Sequence, residues 1–263
     1  MKVPVGGGEA TTIASGQDSP TQIVVDSTNV YWVTGSACMS TPVSGGPVTA
    51  AVTMPNGYNF GIATDGTSLY WAGQAISGPD PAGVIVRLPP GGSASTLASA
   101  QFQPRDVLVD SARVYWADLN NYGVTSVMST ALVGGTVATL VPAGSPGPVY
   151  PLAIVGATLY GVGDSVTSVP LAGGTVTTLA ANQLSETIAV DADNVYWVSD
   201  SVIKCVPLTG GRVVTLAPAP DGPGNQSAMI AVDATSVYWV DQGRATGVVA
   251  DDNYGYVAKV SKR

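Results

Sequence analysis

VVDSTNVYW at residues 24–32 returns with small changes as ATDGTSLYW (63–71), LVDSARVYW (108–116), IVGATLYG (154–161), AVDADNVYW (189–197) and AVDATSVYW (231–239). In five of the six copies a short apolar run ends at Asp, turns, and re-enters as Val or Leu followed by Tyr; the fourth keeps the run and the Tyr with Val155 in the Asp place. The tyrosines are Tyr31, Tyr70, Tyr115, Tyr160, Tyr196 and Tyr238, at steps of 39, 45, 45, 36 and 42 residues. Self-similarity at this period over the whole chain is the signature of a closed or stacked repeat array.

Each unit reads as four strands. Strand A is the apolar run before the Asp, as in Ile23 to Asp26 and Val107 to Asp110; strand B carries the Tyr-Trp pair. The turn between them holds Asp26, Asp65, Asp110, Asp191 or Asp233, a side chain that bonds its own backbone two residues on. Turn chemistry accounts for these aspartates without a metal. Strand C, as in VTSVPLAGG, ends at a Gly pair, and strand D follows, as in TVTTLA. Gly45-Gly46, Gly134-Gly135, Gly173-Gly174 and their counterparts supply positive φ for tight hairpins. None opens a helix, so they are not phosphate loops.

The chain closes with YGYVAKVSKR, which aligns with strand C, and opens with KVPVGGGEATTIAS, which supplies a Gly pair and strand D. The expected fold is therefore all-β: one domain over residues 1–263, a six-bladed β-propeller of four-stranded antiparallel blades. An N-terminal strand D completes the last blade and removes the open sheet edges. Trp32, Trp71, Trp116, Trp197 and Trp239 each follow a repeat tyrosine and are expected to pack blade on blade. In the fourth copy Gly161 replaces the Trp and Val155 the Asp, leaving room for a cavity or a bulky neighbour.

The 263 residues carry 11% charged side chains, 32 Gly and 19 Pro, a composition of many tight turns and few charged helix faces. A net charge of −8 without a Lys/Arg-rich run argues against nucleic acid as a partner. No apolar stretch reaches the roughly 18 residues needed to span a bilayer. MKVPVGGGE has no signal-peptide h-region, so a leader is not expected within this chain. An acidic, Ser/Thr/Val/Gly-rich, His-free composition suits a secreted, periplasmic or cell-surface bacterial protein. Cys38 and Cys205 fall at non-equivalent positions of different repeats and are expected to be free thiols. Without histidine there is neither a Ser-His-Asp triad nor a His-ligated zinc.

On YWVT, YWAG, YWAD, YWVS and YWVD, each after an apolar-Asp strand, the chain resembles the YWTD family of six-bladed β-propellers found in lipoprotein-receptor ectodomains. It is more distantly similar to NHL and TolB-type propellers. Only Asp118 and Asp241 keep the family's Asp two places after Trp. The resemblance implies a propeller whose receptor members bind proteins on one face. Their acid-triggered contacts use histidine, which this chain lacks.

In such a propeller the B-to-C hairpins and D-to-A crossovers share one face. Here they are long and varied: MPNGYNFG, GQAISGPDPAG, SAQFQPRD, DLNNYG, PAGSPGPVY, APAPDGPGNQSA and DQGRATGVVADDNYGY. Variable loops on a rigid scaffold are where function concentrates. Tyr58, Phe60, Phe102, Tyr122, Tyr150 and Tyr254 fall in or beside them. So do 11 acids, Asp106, Glu186 and Asp241 among them, against Arg105 and Arg244 alone, which puts −9 on this face. Such a field favours basic protein segments or cations, and aromatics among polar loops suit protein or sugar contact.

The expected function is a non-enzymatic binding module holding a protein or glycan on this face. The expected binding residues are Tyr58, Phe60, Phe102, Arg105, Asp106, Tyr122, Tyr150, Glu186, Asp241 and Tyr254, with no cofactor. Two alternatives stand beside it. One is a calcium-dependent hydrolase or lactonase at the channel mouth, using Asp106 and Glu186 as ligands with Arg105 alongside; the other is a structural surface or filament subunit.

Overall fold

The computed structural model describes residues 1–2, 9–35, 37–53, 57–75, 82–120, 125–145, 152–185, 187–218, 229–241 and 256–262, without the side chains of 57–60, 75, 240–241 and 256–257. Two compact units make up the chain, Met1–Thr139 and Leu140–Arg263.

The first unit holds three sheets: β1 (Ile23–Val25), β2 (Asn29–Val33), β3 (Ala37–Pro42) and β4 (Thr49–Thr53); β5 (Gly57–Thr64), β6 (Leu69–Ala75), β7 (Gly83–Leu88) and β8 (Ser95–Gln101); β9 (Pro104–Val109), β10 (Arg113–Leu119), β11 (Thr125–Ala131) and β12 (Ala138–Val141), the last strand crossing the unit boundary. The second unit repeats the plan with β13 (Leu152–Val155), β14 (Thr158–Gly161), β15 (Val166–Pro170) and β16 (Thr177–Ala180); β17 (Ala189–Val190), β18 (Asn194–Ser199), β19 (Val202–Pro207) and β20 (Val214–Pro218); β21 (Ile230–Val232), β22 (Ser236–Asp241) and β23 (Tyr256–Ser261). Strands next to each other in sequence pair side by side in each sheet, the arrangement of propeller blades. Within each unit the first strands adjoin, β5 lying between β1 and β9, and β17 between β13 and β21.

The Gly pairs turn as their sequence predicts. Gly134 and Gly135 have φ of 83° and 126°, and the Gly134 amide donates to the Ala131 carbonyl at 2.9 Å. Trp116, Trp197 and Trp239 pack blade on blade. Trp116 shares a buried cluster with Tyr70 and Ile85 of the preceding sheet, and Trp239 one with Tyr196 and Ile203. Burying an indole contributes about 4–6 kcal/mol as an upper bound. Beside the atypical fourth copy, Trp197 packs with Tyr160, Val162 and Val166 of the preceding sheet. Cys38 and Cys205 are buried and free, and burial pushes the Cys38 thiol up to about 12.

Several strand boundaries differ from the sequence reading. Gly57 to Phe60, expected in a loop, belong to β5, because β6 runs on to Ala75 and gives them partners: Gly57 faces Ala75 and Tyr58 faces Gln74. β8 likewise extends to Gln101 and β9 begins at Pro104, so SAQFQPRD shrinks to the bend Phe102-Gln103. The last sheet has three strands among the described residues. Of the N-terminal segment expected to supply its fourth, residues 3–8 lie outside the described residues, and Lys2 and Thr11 form an isolated bridge. Among the described residues no helix is long and apolar enough to cross a membrane.

Candidate functional site

The two ends of the sheets are built differently. At the A-to-B end the repeat aspartate accepts two backbone amides on one oxygen and the repeat tyrosine hydroxyl on the other. Asp65 Oδ1 accepts the amides of Thr67 at 2.8 Å and Ser68 at 2.7 Å, and Tyr70 donates to Oδ2 at 2.8 Å. The same three bonds recur at Asp26, Asp110, Asp191 and Asp233, with the tyrosine bond between 2.6 and 3.0 Å. Sequence reasoning found the amide bonds and missed the tyrosine bond, although Tyr lies five places after Asp in every complete copy. Burial works to raise the Asp65 carboxyl, but the Ser68 amide, the Tyr70 hydroxyl and the Thr67 amide outweigh it and hold the group below its ordinary range. Burial and Asp110 together push the Tyr115 phenol up to about 12. Asp191 also takes the ammonium of Lys262 at 2.5 Å, and that ammonium donates as well to the Asp233 carbonyl, joining two neighbouring sheets.

At the other end, Phe102 stands in the bend before β9, 37% exposed, its amide donating to Asp118 Oδ1 at 3.0 Å. Asp118 is buried on β10. Desolvation raises its carboxyl above the ordinary range, against the Phe102 and Gln103 amides. Arg105 and Asp106 follow on β9, where the register with β10 shifts and Asp106 takes a φ of 47°. Arg105 Nη2 donates to Gln103 Oε1 at 3.3 Å. β5 has its own irregularity between Asn59 and Gly61, at Phe60. A Cβ on Gly61 would stand 3.1 Å from the Asp106 amide nitrogen and 3.0 Å from that of Val107. Backbone approach thus brings the Phe60, Arg105 and Asp106 positions to adjoining strand ends. Gln22 continues the row, its Oε1 accepting the Ile62 amide at 3.0 Å.

Tyr58, Phe60 and Asp241 lie on strands whose side chains at these positions are outside the description. Tyr122, Tyr150, Glu186 and Tyr254 lie outside the described residues. Among the described residues no three His, Cys, Asp or Glu side chains cluster to hold a metal ion.

No family model matches the sequence, and no curated protein does. Solved structures are similar in fold. A chain of a nidogen/laminin complex is 16% identical with a TM-score of 0.61, the match covering 82% of this chain and 86% of that one. A calcium-binding protein, regucalcin, from Agrobacterium tumefaciens is 14% identical with a TM-score of 0.59, over 93% and 91%. The extracellular domain of a putative one component system from B. thetaiotaomicron is 12% identical with a TM-score of 0.59, over 86% of this chain and 32% of that one. The fold of this chain is β-propeller-like.

Proposed function

We propose that this chain is a non-enzymatic extracellular or surface binding module that holds a protein or glycan on the end of its sheets carrying the B-to-C hairpins and D-to-A crossovers. In this reading residues 1–263 form one six-bladed propeller, and the N-terminal segment adds strand D to β21–β22–β23. The contrast between the two ends supports it. The A-to-B aspartates and tyrosines are satisfied by one another, whereas the crossover end displays Phe102 beside Arg105 and Asp106. A similar fold within a nidogen/laminin complex, and another in an extracellular domain, agree with a partner-binding role outside the cell.

A calcium-dependent hydrolase using Asp106, Glu186 and Arg105 is the second reading, and the fold likeness to a protein described as calcium-binding favours it over a structural subunit. Titrating chelator-treated protein with calcium separates the two. A site of micromolar affinity would raise stability by roughly 4 kcal/mol at millimolar ion. The binding-module reading expects no such shift; a shift abolished in Glu186→Gln would replace it with the metal reading.

A further inference from the structure

Three D-to-A crossovers share a construction outside the repeat motif. Gly16, Ala100 and Asn182 take left-handed backbone, with φ of 65°, 56° and 56°, and each precedes a glutamine: Gln17, Gln101 and Gln183. The glutamine amide nitrogen donates to the carbonyl two residues back, Ser15, Ser99 or Ala181, at 2.8, 2.8 and 2.9 Å. The amide oxygen accepts a neighbour within the same unit. Gln17 takes the Trp32 indole at 3.2 Å, Gln101 the Trp116 indole at 3.1 Å, and Gln183 the Lys204 ammonium at 3.4 Å. A left-handed alanine is strained and persists where surrounding bonds over-determine it.

The residue after the glutamine is turned to solvent in all three: Asp18, Phe102 and Leu184, the last 73% exposed. Its flanking backbone is fixed. Around Phe102 the Asp118 carboxylate holds the amide, and Leu119 donates to the Gln103 carbonyl at 3.2 Å. Around Leu184 the amides of Gln183 and Ser185 donate to the carbonyls of Asp164 and Gly163 at 2.8 and 3.1 Å. An apolar side chain on backbone already ordered loses little freedom when a partner covers it, which is what makes preorganised anchors strong.

We infer that the position after the crossover glutamine reads the partner, and that Phe102 and Leu184, each in its own unit, take apolar side chains from a basic protein segment. This rests on the crossover end being the binding end. Leu184 offers a sugar neither an aromatic plane nor a hydrogen bond, so the pair favours protein over glycan. The acidic balance of the hairpins and crossovers, 11 carboxylates in the sequence against two arginines and the Lys204 ammonium that reaches Gln183 and Asp200, calls for Lys or Arg beside those apolar groups.

The test pans a random-peptide phage library on the full chain and measures the selected peptides by calorimetry. Peptides combining apolar with Lys or Arg side chains are expected, with Phe102→Ser or Leu184→Ser weakening them at least about 10-fold. Melting temperature and binding to Asp193→Ala, an exposed A-to-B turn variant, should be unchanged. Affinities within about twofold of wild type in both variants, or selection of no such peptide, overturn the inference. Loss in Tyr58→Ala or Tyr254→Ala with Phe102→Ser and Leu184→Ser silent overturns it while leaving the binding end intact. Loss in Asp193→Ala alone overturns both, and a response to arrayed glycans alone overturns the choice of protein.

Discussion

Tyr70 donates its hydroxyl to Oδ2 of Asp65 at 2.8 Å, and the other oxygen of that carboxylate holds the turn amides of Thr67 and Ser68. One side chain thus fastens the turn and anchors the tyrosine that follows it. Tyr70→Phe, which removes a single bond, is expected to cost about 1 kcal/mol, and Asp65→Ala, which frees three donors, about 2–3 kcal/mol. Tyr160→Phe is expected to fall within about 0.5 kcal/mol of wild type, because Val155 supplies no carboxylate there. Urea melts of the three variants check the order.

The same clamps set the pH limits of stability. Folding holds the carboxyls of Asp26, Asp65, Asp191 and Asp233 below their unfolded values. Their contribution is therefore present above about pH 4 and lost as pH falls through the folded values. The phenols of Tyr31, Tyr70, Tyr115, Tyr196 and Tyr238 are raised, so their contribution is present below about pH 10 and lost as pH rises through the folded values. With no histidine in the chain, thermal melts are expected to stay nearly flat from about pH 5 to 9 and fall on both sides.

Asp118 has the opposite sign. Its folded carboxyl is raised by burial, so its contribution is full below the unfolded value and is lost as pH rises through the folded one. Asp118→Asn keeps an acceptor for the Phe102 amide and removes the buried charge. At pH 7 its melting temperature is expected to equal or exceed that of wild type, with the difference shrinking toward pH 4. Asp118→Ala, which removes the acceptor, is expected to cost about 1 kcal/mol.

Gly83 admits no side chain. A Cβ there would stand 2.5 Å from Pro104 Cδ and 2.6 Å from the Gln101 carbonyl oxygen, so Gly83→Ala must displace the bend that carries Phe102. A cost of about 2–3 kcal/mol is expected, read as a fall in melting temperature of several degrees. Gly35→Ala, with nothing within 4 Å of the added carbon, serves as the control.

The repeat made the sheets legible because five of the six copies keep the Trp and the Asp that caps the turn, a Gly pair turns between strands, and Trp116, Trp197 and Trp239 each pack on the preceding sheet. The Asp-to-Tyr bond was written at fixed spacing yet hidden, since a tyrosine in a strand reads equally well as plain packing. The crossover glutamines were illegible. Gln17, Gln101 and Gln183 stand in segments of differing length and composition, and only the left-handed residue before each, Gly, Ala or Asn, makes them alike. The placing of Tyr58 and Phe60 in a loop failed because strand ends are set by how far the partner runs, here β6 to Ala75, and not by the segment itself.

The most direct test of the binding-module account is a screen of the full chain, in chelator, against arrayed extracellular proteins and glycans, followed by the affinity of the captured partner for Tyr58→Ala, Phe102→Ala and Tyr254→Ala. Calcium-independent binding that weakens at least about 10-fold in one or more of these variants is the expected result. Binding that needs calcium and is accompanied by turnover of the captured molecule, or binding untouched by all three exchanges, would contradict it.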